Sequence, residues 1–244
     1  MKNIKEYIDA TYLKTAKQAQ LTEAENDQIV KDLLAEAMTH QYKCVMLLPE
    51  HVSVAKNYFI KHKSKIAVGT VINFPEGTAD VSDKLKQAQI AIDQGADELD
   101  FVINYPAFKA GNITMVQEEV LQCTQYCLNQ HKTIKWIIET AALTDNEIIR
   151  ITTLIKNTVM RYFKEIDYQK VFVKSSTGFF SVNDGTTNGA TPHAITLMLE
   201  NAGPLPIKAS GGIKTVTDVL FYLQMGVKRI GTSAQKQIIE SVGS

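Results

Sequence analysis

Residues 171–180 read VFVKSSTGFF, and residues 205–212 read LPIKASGG. Each is a short apolar run that meets a lysine and then turns through small residues and glycine. A lysine at the end of a buried strand is costly unless something nearby compensates or exploits it. Finding the pattern twice in succession, at Lys174 and Lys208, makes it the feature around which the rest of the chain is read.

Working outward, similar apolar runs recur along the 244 residues. Strands are predicted at 7–12 (YIDATY), 42–48 (YKCVMLL), 65–72 (KIAVGTVI), 98–104 (ELDFVIN), 134–140 (IKWIIET), 169–174 (QKVFVK), 205–209 (LPIKA) and 227–231 (VKRIG). Several are nearly continuous in Val, Ile, Leu and Phe, as expected of parallel strands buried on both faces. Helix-length segments lie between them. Residues 25–41 carry Ile29, Leu33, Leu34, Ala37 and Met38 at helical spacing. Residues 82–95 end on Gly95, a C-terminal helix stop. Val116, Val120, Cys123 and Cys127 form one core-facing stripe. Residues 144–159 open with a Thr144–Glu147 capping box. Eight strands alternating with helices predict a single-domain α/β fold, a (β/α)8 TIM barrel spanning 1–244. A doubly wound open sheet usually carries a GxGxxG or GxxxxGK[ST] loop after its first strand, and neither motif occurs.

Composition excludes other classes. Lys plus Arg and Asp plus Glu both number 26, so there is no charge excess to draw a nucleic acid. No apolar run approaches the roughly 18 to 20 residues that span a bilayer, so no membrane partner is expected. The N-terminus lacks a secretory apolar core. Three cysteines with no CxxC, and five scattered histidines, predict neither a disulfide framework nor a metal site and fit a reducing cytoplasm.

In a barrel, chemistry belongs at the C-terminal ends of the strands. Alternation puts Lys170, Phe172 and Lys174 on one face of strand six. Lys208 on the neighbouring strand stands at an equivalent height. Two adjacent ammonium groups disfavour each other, and partial burial adds to the effect. A lysine lowered from ~10.4 toward ~7 to 8 can attack a carbonyl and form a Schiff base. Asp100 lies in the apolar run of strand four, on one face with Val102 and Asn104, and is the expected partner and proton relay for the lysines. Asp97 and Glu98 are expected at the turn and the bottom rim. Lys135 starts strand five and Glu139 ends it, in parity with Ile137, so either charge can reach the interior and Lys135 is a candidate pocket residue, although a lysine at the start of a strand is more often on the solvated rim. Three glycine loops follow the last strands: Thr177-Gly178, Gly211-Gly212 and Gly231-Thr232-Ser233, the last leading into a short helix. Glycines let backbone amides approach an anion, and the loops after strands seven and eight are a recurrent phosphate site of this fold. A small phosphorylated carbonyl compound is the expected ligand.

These residues carry a resemblance. INFPEG (72–77), GADELDFVIN (95–104), KWIIETAALT (135–144), FVKSSTGF (172–179), IKASGGIKT (207–215) and RIGTS (229–233) run in the order found in the deoxyribose-phosphate aldolases, and the chain resembles that class I aldolase family over nearly its whole length. The resemblance implies an imine on Lys174, tuning by Lys208 and a proton relay through Asp100. It implies reversible cleavage of 2-deoxy-D-ribose 5-phosphate to D-glyceraldehyde 3-phosphate and acetaldehyde, with no metal or organic cofactor. A homodimer is a compatible assembly. The family's N-terminal D-H-T-x-L-K reads Asp9-Ala10-Thr11-Tyr12-Leu13-Lys14, which adds Asp9 and Thr11 to the candidate pocket. There are further departures: Met46-Leu47-Leu48-Pro49 stands where the family has C-V-x-P, EIDYQK (165–170) replaces G-A-D, the stretch 179–191 is long, and the chain ends in ESVGS without a tyrosine. Rival readings are a transaldolase-like transferase or isomerase on a sugar phosphate, and a non-catalytic barrel that binds a ligand.

Overall fold

The computed structural model describes residues 3–181 and 189–241. Eight strands close into one parallel barrel: β1 (Ile8–Tyr12), β2 (Cys44–Leu47), β3 (Ala67–Ile72), β4 (Glu98–Val102), β5 (Thr133–Ile137), β6 (Val171–Lys174), β7 (Ile207–Ser210) and β8 (Arg229–Thr232). Each pairs with its neighbour in sequence, and β8 pairs with β1. The predicted strands are all present. Their ends move by one to three residues where the chain leaves the ladder early, as at Ile137, beyond which Glu139 adopts a left-handed conformation (φ 56°).

Side-chain alternation divides the strands into two environments. Ile8, Ala10, Val45, Leu47, Val68, Leu99, Phe101, Trp136, Val173, Ala209 and Ile230 point outward into the main apolar core beneath the helices. Ala10, which replaces the family histidine, belongs to this outer core, so the departure lies away from the barrel interior. A smaller apolar cluster, Leu13, Cys44, Met46, Leu48 and Val71, stands apart from it. Met46 needs Gly69 as its neighbour, because a Cβ there would lie 2.3 Å from the Met46 sulfur.

The helices form where their patterns predict. Glu23–His40 buries Val30, Leu33, Leu34 and Ala37, while Ile29 is only half-buried. Ile113–Asn129 buries the stripe of Val116, Val120, Cys123 and Cys127, and burial pushes the Cys123 thiol up to about 12. Asp145–Tyr162 opens with the Thr144–Glu147 capping box. Val81–Asp93 ends at Gly95 with φ 103°. Residues 165–170 form a 3-10 turn that leads into β6. Residues 182–188 of the long stretch after Gly178, and 242–244 of the C-terminal ESVGS, lie outside the described residues.

One charged pair pins the loops around the barrel mouth. Lys84 is fully buried and forms an ion pair with buried Glu119. Lys84 Nζ also donates to the carbonyls of Gly77 (2.7 Å) and Val102 (2.8 Å). The other Glu119 oxygen accepts from the Asn104 amide at 3.1 Å. The pair thus joins two helices to the INFPEG loop and to the end of β4. Gly77 (φ 74°) fits because a Cβ would meet the Ile103 carbonyl at 2.5 Å. Lys84→Met should strand the Glu119 charge and destabilise the fold by ~3–5 kcal/mol, the scale for breaking a buried pair. A urea titration checks this, and Glu119→Gln in the same background should restore part of the loss.

Candidate active site

Lys174 is the last residue of β6 and Lys208 the second of β7, and the register pairs their Cα atoms directly. Both point inward. Their Nζ atoms donate to the same oxygen, Asp100 Oδ2, at 2.9 Å and 2.8 Å. The other oxygen, Oδ1, accepts from Lys135 Nζ at 2.7 Å. One buried carboxylate therefore binds three ammonium groups.

Two expectations are corrected by the layer below. β5 begins at Thr133, so Lys135 is mid-strand and fully buried in the interior rather than at a solvated rim. The cost of burying it is offset by three carboxylates on two strands: Asp100 at 2.7 Å and Glu98 at 2.7 Å on β4, and Asp9 at 3.6 Å on β1. Glu98, expected at the bottom rim, is in fact inside the barrel, where it takes a two-pronged interaction from Arg229 at 3.0 and 2.8 Å. Arg229 Nε also donates to Asp9 Oδ1 at 2.7 Å, while Asp9 Oδ2 lies 2.6 Å from Lys208 Nζ. Asp97 does occupy the turn, held 2.8 Å from Lys56. Parity alone could have drawn Glu98 inward, since it is two residues before Asp100; Arg229, at the start of its strand, carried no such signal.

The charges set one another's ionisation. For Lys174, burial is the largest influence; Asp100 opposes it, and Lys208 then Lys135 add to it, so the amine falls from 10.5 to about 8. Proximity of Lys208 therefore acts in the expected direction, but burial leads. Burial would raise Asp100, yet Lys135, Lys174 and Lys208 outweigh it and hold the carboxyl well below its usual range. Lys135 is raised, because Asp100, Glu98 and Asp9 together overcome its burial. Asp9, Cys44 and Glu98 bring ligand atoms within 4.8 Å of one another. Both carboxylates are already neutralised by Arg229 and Lys135, whose charges repel a cation, and burial raises the Cys44 thiol.

Above the lysines a cavity of about 370 Å³ opens at the C-terminal end of the barrel. Lys174, Thr11, Thr177, Gly178, Gly211, Gly212, Gly231 and Ser233 all line it. Asp9, Asp100, Lys135 and Lys208 lie beneath, outside the lining. Gly178, Gly211 and Gly212 have φ of 81°, 87° and 77°, which explains glycine at these positions. Gly231 serves otherwise: a Cβ there would press on the Lys208 side chain at 3.1 Å. The Thr177 amide is committed to Glu139 Oε2 at 3.1 Å, and its hydroxyl to the same oxygen. The Gly178 amide donates to Ser176 Oγ at 2.9 Å. Two contributors escaped the sequence reading, the exposed cations Lys14 and Lys214 at the cavity; Glu139, which strand parity allowed inside, is buried and holds the 176–177 turn. The KASGGIK pattern could have suggested Lys214, two residues beyond the glycine pair.

Residues 7–233 match the model of the DeoC/LacD family aldolases. This chain belongs to that family. The deoxyribose-phosphate aldolase of Thermococcus gammatolerans is 35% identical over 239 residues, covering 98% of this chain and 96% of that protein. The deoxyribose-phosphate aldolase of Clostridium botulinum (strain Langeland) is 34% identical over 237 residues, covering 97% and 99%. Among solved structures, the tetrameric deoxyribose phosphate aldolase of Aeropyrum pernix superposes with a TM-score of 0.78 at 26% identity, covering 99% of this chain and 91% of that one. Among the described residues of this aldolase no helix is long and apolar enough to cross a membrane.

The lowered lysine has a stability signature. Between about 8 and 10.5 the unfolded aldolase holds a proton on residue 174 that the folded state has released, so its contribution to stability rises with pH across that window. Below it the full penalty applies, about 3 kcal/mol at ~1.4 kcal/mol per unit. Lys174→Met should therefore be stabler than the parent at pH 7, with the gain shrinking toward pH 10.5. Urea unfolding of both proteins at pH 7 and pH 10 measures this, and a gain that grows with pH contradicts it.

Proposed function

We propose that the chain is a class I aldolase that reversibly cleaves 2-deoxy-D-ribose 5-phosphate to D-glyceraldehyde 3-phosphate and acetaldehyde, with Lys174 as the imine-forming residue. The observation that carries this reading is a buried lysine, lowered to about 8, that shares Asp100 Oδ2 with a second lysine and opens onto the cavity of about 370 Å³. The names of the relatives supply the substrate; the charge layout supports the chemistry.

The neutral Lys174 amine attacks C1 of the open-chain sugar, and loss of water from the carbinolamine leaves an imine whose protonated form draws electrons from C2. Loss of the C3 hydroxyl proton breaks the C2–C3 bond and releases D-glyceraldehyde 3-phosphate. The enamine left on Lys174 gains a proton at C2, and water then frees acetaldehyde. Asp100 is ionised and already holds three ammonium groups, so it can stabilise the cationic imine and orient the lysine N–H groups along which a proton is relayed. Lys208 stays close as the second donor, and Asp9 beside it extends the charge chain. The phosphate is placed against the turns at Gly178, Gly211, Gly212, Gly231 and Ser233, with Lys14 and Lys214 as counter-charges at the mouth.

The whole chain is read as one catalytic domain that needs no metal or organic cofactor. Buried, unpaired thiols suit a cytoplasmic setting. A homodimer is one assembly open to it; the Aeropyrum pernix relative is a tetramer, and light scattering on this chain separates the two.

Borohydride reduction in the presence of acetaldehyde, followed by peptide mapping, should place the adduct on Lys174. An isomerase or a ligand-binding barrel would give no adduct, and modification of Lys208 or Lys135 instead would overturn the assignment. A transaldolase would accept a ketose donor, which substrate profiling excludes or reveals. Asp100→Asn should lower kcat by about 10²-fold or more, the scale of general acid–base catalysis, in protein shown by circular dichroism to be folded at the assay temperature. Lys214→Gln should raise KM for the phosphorylated sugar and leave KM for free deoxyribose nearly unchanged; equal losses on both would remove Lys214 from the phosphate site.

A further inference from the structure

The barrel interior holds an unequal number of charges. Among the described residues it buries three carboxylates, Asp9, Glu98 and Asp100, and four cations, Lys135, Lys174, Lys208 and Arg229. The cations do not share the carboxylates evenly. Lys135 lies within 3.6 Å of all three. Lys208 contacts two, at 2.6 and 2.8 Å. Arg229 contacts two and grips Glu98 through both terminal nitrogens. Among the described residues Lys174 pairs with one carboxylate, Asp100, through an oxygen it shares with Lys208. The surplus charge therefore falls on the lysine with the fewest counter-ions.

We propose that Arg229 and Glu98 are positioning residues that set how many protons the lysine cluster holds. This rests on the reading of Lys174 as the imine-forming residue. Neither side chain contacts Lys174. They act through a continuous path of ion pairs: Arg229 to Asp9, Asp9 to Lys208, Lys208 to Asp100, and Asp100 to Lys174. Arg229 is a guanidinium and does not give up its proton at working pH. It occupies Glu98 and half of Asp9, which leaves Asp100, among the described residues, as the carboxylate for Lys174.

The other groups around the cluster do not upset the count. β2 contributes Cys44, a thiol that burial keeps protonated. β3 contributes Gly69 and Val71, which carry no charge. Beyond β5, the Glu139 carboxylate is held by the Ser176 hydroxyl and by the amide and hydroxyl of Thr177. Lys14 and Lys214, at the cavity mouth, are exposed and screened by solvent.

The count predicts opposite effects from two neutralising changes. Arg229→Gln leaves three cations for three carboxylates, so Lys174 retains its proton more strongly. Glu98→Gln leaves four cations for two carboxylates, so Lys174 loses it more readily. The experiment is the pH dependence of cyanoborohydride trapping of acetaldehyde on Lys174, followed by mass spectrometry of that peptide. The midpoint should move up by about one pH unit in Arg229→Gln and down by about one in Glu98→Gln, the lower end of what a neighbouring charge does. The double variant should return close to the parent. Arg229→Lys, which keeps the charge but loses the forked geometry, should keep the parent midpoint.

Midpoints that stay fixed, or that both move in one direction, overturn the proposal: a purely structural role would cut the trapped yield without opposite shifts. If Arg229→Gln does not fold, Glu98→Gln and Arg229→Lys still decide, since an unmoved or raised midpoint in the first, or a shifted one in the second, refutes it. An adduct on another lysine in the parent protein would instead be a failure of the assignment of Lys174.

Discussion

The structure depends on one carboxylate shared by three amines. Asp100 is fully buried and takes Lys135 on one oxygen and both Lys174 and Lys208 on the other. Without it, Lys174 would lose its counter-charge, and Lys135 and Lys208 would be left with Glu98 and Asp9. With it, each ammonium group has an acceptor, yet the acceptor is oversubscribed. That shortage separates Lys174 from Lys135. Lys135, with three carboxylates, is held charged; Lys174, with half a share of one, is lowered to about 8.

A network of this kind is a poor device for stability. Apolar residues of similar volume would fill the barrel at lower desolvation cost. Outside the strands the same chain does build that way, with Trp136, Phe101 and their neighbours packed under the helices. The interior follows another rule, and the result is an amine lowered to about 8 at its upper end. The lower layer of Asp9, Glu98 and Arg229 is part of the same device: it fixes charge where no ligand reaches and leaves the deficit at the cavity floor.

The cavity is built from local backbone rather than from charge. Gly178, Gly211 and Gly212 take φ values that other residues avoid, and Gly231 gives up its side chain to make room for Lys208. The loops are held from behind, by Glu139 for the turn after β6 and by the Lys84–Glu119 pair for the turn after β3. Departures from the aldolase pattern fall mostly behind this surface. Ala10 belongs to the outer core, and Met46 sits over Gly69 beside Lys135 rather than in the cavity lining.

The sequence by itself determined the barrel, the strand and helix order, the lysine pair, Asp100 and the glycine turns. These are local signals: apolar runs, alternation along a strand, capping boxes, and a lysine followed by small residues. It also placed Cys123 and Cys127 in the core from helical spacing alone. Only the tertiary structure decided which charges meet. Lys135 and Glu98 read as rim residues because their strands seemed to start or turn there, and Arg229 carried no signal at all. Their roles come from the stagger of eight strands, which pairs Asp100 with Lys135 and Lys174 with Lys208 while setting Arg229 beside Asp9 and Glu98, 220 and 131 positions away along the chain. Alternation along a strand says that a side chain faces inward; it does not say at what height, or against what. Charge pairing in a closed barrel is set by that height, and so is the ionisation of Lys174.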